Sequence, residues 1–84
     1  MPIKKERIQT KVKMILASFG PLKWDEIDLK HKIEDNYIAK EEKEFFVDEI
    51  LFAYPNVRST KLYNQMFNEL KTGNDVVEFI EQYY

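Results

Sequence analysis

Apolar residues recur along this chain at helical spacing, and no segment sustains the apolar–polar alternation of a half-buried strand. Ile8, Val12, Ile15, Leu16 and Phe19 follow one another at steps of four, three, one and three, which lays them in one stripe of a helix running from about Lys4 to Phe19. Gly20 reads as its stop, and Pro21 cannot continue it. A second helix is expected from about Asp25. Asp25 would cap it, Asp28 would sit near its exposed amides, and Trp24 and Leu29 would form a hydrophobic staple. Its core face would be Leu29, Ile33 and Tyr37, with Asp35 and Asn36 weakening its end.

The third helix is expected from about Ala39 to Tyr54, closed by Pro55-Asn56. Turning about 100° per residue, it gathers Phe46, Val47, Ile50, Leu51 and Tyr54 into one arc. Phe45 and Phe52, seven residues apart, fall together on the opposite side, among Glu41, Glu42, Asp48 and Glu49. A fourth helix is expected over 59–72, capped by Ser59 or Thr60 and stopped by Gly73. Leu62, Tyr63, Met66, Phe67 and Leu70 form its buried face, and Lys71 suits the dipole of its last turn. Asn74 would cap a fifth helix bearing Val76, Val77, Ile80, Tyr83 and Tyr84. The pattern therefore predicts an all-α fold: a compact bundle or orthogonal array of four to five short helices, with no substantial sheet.

Length makes this a single domain, residues 1–84, whose core must be dense in large side chains. The composition, 44% hydrophobic and 14% aromatic, supplies them. The absence of cysteine excludes disulfides, thiolate nucleophiles and cysteine-ligated metals, and it points to a reducing compartment. With neither a signal-peptide pattern nor a membrane-span-length run, the expected location is the cytoplasm. Lysine outnumbers arginine eleven to two, which suggests an AT-rich coding source such as a low-GC bacterium or its phage.

The net charge of −2 conceals two opposed blocks. Residues 1–23 carry six Lys/Arg and one acid, whereas residues 24–53 carry four Lys and ten acids. The simplest expectation is that these blocks neutralise each other within the fold.

Groups for catalysis are scarce. His31, the one histidine, stands between Lys30 and Lys32 on a charged stretch and reads as a solvated surface residue. The acids of the third helix lack the Glu-x-x-His spacing of carboxylate-bridged metal bundles, and no EF-hand or glycine-rich phosphate loop occurs. No cofactor, no metal and no enzymatic activity are expected.

Three surfaces could serve binding. Lys4, Arg7 and Lys11 make a basic stripe where a helix macrodipole disfavours cations, either to bind anions or to pair with the acidic block. Lys61, Asn64, Gln65 and Asn68 make an amide-rich stripe on the fourth helix that could read adenines as part of a helix-turn-helix. That motif's turn glycine is missing and Pro55 stands in the connection. The sharpest feature is the Phe45/Phe52 pair among Glu41, Glu42, Asp48 and Glu49. Covered by basic helix one or the Trp24 region, the pair is core; displayed, it is an aromatic anchor with an acidic rim. The size of the domain favours the covered arrangement, since a small core rarely spares large apolar groups.

The sequence thus reads best as a non-enzymatic protein-binding module of inhibitor, immunity or regulatory type, facing a partner with a basic surface such as a nucleic-acid-handling protein. One alternative is a DNA-binding regulator reading with helix 59–72. The other is a structural homo-oligomer in which the Phe45/Phe52 face meets the basic first helix of another copy.

Overall fold

The computed structural model describes residues 2–57 and 70–83. Three helices longer than a single turn frame these residues: α1 (Pro2–Ala17), α3 (Lys43–Ala53) and α4 (Gly73–Tyr83). Between α1 and α3 runs an irregular segment holding only the one-turn helix α2 (Ile33–Asn36) and two 3-10 turns, Trp24–Glu26 and Lys40–Glu42. A third 3-10 turn, Pro55–Val57, follows α3. The described residues are thus mostly helical, with a single isolated bridge, Lys32 to Thr72, and no strand. They contain fewer full helices than the four to five expected. Residues 59–69 of the helix expected over 59–72 lie outside them, and 70–72, where it was expected to end, are not helical.

α1 presents the predicted stripe to the interior: Ile8, Val12, Ile15 and Leu16 are buried and Phe19 packs beside them. It lies chiefly against α4 and also touches α3. Its start at Pro2 suits a residue that has no amide hydrogen to satisfy. Its end differs from expectation. The helix stops at Ala17, and the chain tightens through successive three-residue bonds from Ser18, Phe19 and Gly20 to Ile15, Leu16 and Ala17. The Ser18 hydroxyl also donates to the Ile15 carbonyl at 2.6 Å. Gly20 has no positive φ, so the stop is made by this tightened turn and Pro21, not by a left-handed glycine.

The second predicted helix is largely replaced by loop. Its backbone is engaged elsewhere: the Leu29 carbonyl accepts the Asn74 amide at 2.8 Å, and the Ile33 amide donates to the Lys71 carbonyl at 2.8 Å. Asp28 closes a local turn by accepting the Lys30 amide at 2.9 Å. The Tyr37 hydroxyl then holds this turn, accepting the Asp28 amide at 2.9 Å. Asp25 does not cap a helix; Glu26 reaches back to the Lys23 amide at 2.8 Å instead. The proposed staple is absent, because Trp24 is exposed while Leu29 is buried. Despite its irregular backbone, this segment buries Ile27, Leu29, Ile33 and Ile38 in the common core.

The cap of α4 is Thr72, two residues before the expected Asn74. Thr72 and Asp75 form a reciprocal capping box, each side chain accepting the other's amide, at 3.2 and 3.1 Å. Gly73, expected to end a helix, opens this one and is buried. A Cβ at that position would stand 2.5 Å from Leu29 Cδ2 and 3.0 Å from Leu29 Cα. Only glycine therefore lets the start of α4 lie this close to the irregular segment. Val76, Val77, Phe79 and Ile80 complete the core from α4.

Candidate functional site

α3 shows why the Phe45/Phe52 question has a definite answer. The side chains of a helix keep fixed bearings about its axis. Phe46, Val47 and Ile50 are wholly buried, and the Phe46 ring meets the edge of Phe19 with centroids 6.2 Å apart. With that side committed to the core, Phe45 and Phe52 must point away from it. They are 61% and 85% exposed. The covered arrangement favoured on grounds of domain size does not hold, because neither α1 nor the Trp24 region reaches this side of α3.

Of the predicted surface residues, Phe45, Asp48, Glu49 and Phe52 lie on α3, and Glu41 and Glu42 stand in the 3-10 turn that precedes it. Glu41, Asp48 and Glu49 are exposed beside the two phenylalanines and make no ion pair among the described residues. Glu42 is the exception. It is half-buried, and its carboxylate accepts the Ala39 amide at 3.2 Å, which closes the 3-10 turn leading into α3. It therefore contributes to the entry of the helix more than to the outer face. At the same end, Lys43 Nζ lies 3.1 Å from Glu34 Oε2, joining α2 to α3.

The expected neutralisation of the basic block by the acidic one is not what the described residues show. The Lys43–Glu34 ion pair and the longer contact of 3.8 Å between His31 and Asp28 both lie inside the acidic block. Lys5, Arg7, Lys11 and Lys13 join no ion pair among the described residues. Along the outer side of α1 an open groove of about 390 Å³ is lined, among the described residues, by Glu6, Arg7, Thr10, Lys11 and Met14. Met14 is 51% exposed. Sequence reasoning had not singled it out, although its position away from the Ile8–Val12–Ile15 stripe was legible on the helical wheel.

Another hollow, about 190 Å³, lies where the end of α1 meets Ile27 and Tyr37. Of its described lining, the Asn36 amide already donates to the Lys32 carbonyl at 2.8 Å and the Tyr37 hydroxyl is bonded to Asp28. His31 stacks on Tyr37, with Nδ1 3.0 Å from the hydroxyl, on the exposed surface. No cluster of three or more metal-ligating side chains occurs among the described residues. No described helix is long and apolar enough to cross a membrane. Lys61, Asn64, Gln65 and Asn68, the candidate DNA-reading residues, lie outside the described residues.

No family model, curated protein or solved structure matches this chain.

Proposed function

We propose that this chain is a small, non-enzymatic, cytoplasmic protein-binding module of inhibitor, immunity or regulatory type. Its working surface is the outer face of α3. Phe45 and Phe52 are the anchors, Glu41, Asp48 and Glu49 the acidic rim, and Glu42 a peripheral member. The observation that carries this reading is the exposure of two phenylalanines on a helix whose other side is fully buried in the core. Contacts made by a central aromatic anchor within a polar rim dominate the energy of protein interfaces. An acidic rim selects a basic partner and speeds the encounter by electrostatic steering. A nucleic-acid-handling protein, whose own binding groove is basic, has that complementary charge.

The test is a comparison of proteins captured from the source cell by the wild-type chain and by a variant carrying Phe45→Ser and Phe52→Asp. The variant is expected to keep its helical circular dichroism and to lose a basic protein that the wild type retains. Collapse of the helical signal would make the pair structural, and an unchanged set of captured proteins would remove the face from the binding mechanism.

A further inference from the structure

We infer that the groove on the outer side of α1 receives the acidic, aromatic face of α3 from a second copy of this chain, so that molecules associate head to tail. This rests on the reading of the α3 face as a binding surface and assigns it one occupant.

The two surfaces match in sign, in chemistry and in spacing. Phe45 and Phe52 are seven residues apart, as are Arg7 and Met14. Seven helical residues span two turns, about 10.5 Å. Asp48 and Glu49 lie midway between the phenylalanines, and Lys11 lies midway between Arg7 and Met14. Whichever direction the second helix runs, one phenylalanine meets the Met14 thioether, the other meets the Arg7 guanidinium, and the central carboxylates face the Lys11 ammonium. Thr10, smaller than its neighbours, leaves room in the groove between them.

Within one molecule the surfaces cannot meet. α1 and α3 face the same core, and the groove and the phenylalanines lie on their outer sides. The pairing is therefore heterologous: each molecule keeps one donor face and one acceptor face free, and association does not close at two. Glu6 at the edge of the groove opposes the acidic face, and only a few side chains take part, so the association is weak and sensitive to salt. The small net charge of −2 leaves little overall repulsion between copies. Nucleic acid would match Arg7 and Lys11 but leave the exposed Met14 without a counterpart.

Sedimentation velocity on the full chain at low salt, up to millimolar concentration, tests this. The average mass should rise with concentration past that of a dimer, and a rise to high salt should weaken association about tenfold or more. Two variants remove one face each: Phe45→Ser with Phe52→Asp, and Arg7→Glu with Lys11→Glu. Each alone should be monomeric with an unchanged urea midpoint. Mixed in equal amounts they should form a dimer and nothing larger, because one intact face of each kind remains. If either variant loses its fold, Phe52→Ala and Lys11→Gln replace it, each expected to weaken wild-type association severalfold. A wild-type chain that stays monomeric or stops at a dimer, or a mixture that stays monomeric, would overturn the inference. If self-association is absent while the Phe45/Phe52 variant still loses a captured foreign protein, the proposed function stands and only the identity of the occupant falls. If that capture is also unchanged, both fall.

Discussion

The irregular segment around α2 and the regular helix α3 treat their apolar residues in opposite ways. The segment has only one helical turn between its 3-10 turns, yet Ile27, Leu29, Ile33 and Ile38 are all buried. α3 is continuous over eleven residues, yet it leaves Phe45 and Phe52 in solvent. Regularity and burial are therefore separate properties. A loop can aim each side chain independently, provided its backbone groups find partners, and here Asn74 and Lys71 supply them. A helix cannot: once Phe46 and Val47 face the core, the bearings of Phe45 and Phe52 are fixed outward. Large apolar groups kept at such positions gain nothing for folding, and that directs attention to what they contact outside the molecule.

Four substitutions probe this contrast, in order of expected effect. Phe46→Ala removes a fully buried ring and should cost about 3–5 kcal/mol, a large share of the roughly 4–13 kcal/mol expected for a domain of this length. Urea unfolding monitored by circular dichroism would show it as a lowered midpoint. Ile33→Ala, in the irregular segment, should cost about 2–5 kcal/mol by the same measurement. A loss below about 1 kcal/mol would mean that the segment is an ornament on a three-helix core. Gly73→Ala should cost about 1–3 kcal/mol, since the added methyl meets Leu29, including its Cα at 3.0 Å. A neutral result would show that the segment can shift away from α4 freely. Phe52→Ala should change stability by no more than about 0.5 kcal/mol while weakening association. A large loss of stability there would dissolve the contrast between the two faces of α3.

Much of the fold was legible because helical periodicity is a local property. The core stripe of α1 and the Phe46, Val47 and Ile50 face of α3 were read directly from spacing, and both hold. So was the position of Phe45 and Phe52 opposite that face. The second helix failed because its local signals, an acidic start and a helical spacing of Leu29, Ile33 and Tyr37, competed with hydrogen bonds to residues near 71–74, far along the chain. Gly73 was misread for a related reason: a glycine beside a helix end signals a stop, but its role here is to let Leu29 approach. The candidate surface was legible as a set of residues and illegible as an exposed one.

The sequence by itself determined that this chain is helical, which side of α1 and of α3 belongs to the core, and that two phenylalanines and several acids share one helical face. These follow from rotation about a helix axis, which needs no knowledge of neighbours. Only the tertiary structure decided that the segment after α1 is pinned to the start of α4 in place of forming its own helix, and that Phe45 and Phe52 stay exposed. It also decided that Arg7 and Lys11 join no ion pair with the acidic block among the described residues. Each of these depends on which distant residues arrive at a given surface, and spacing along a chain carries no information about that.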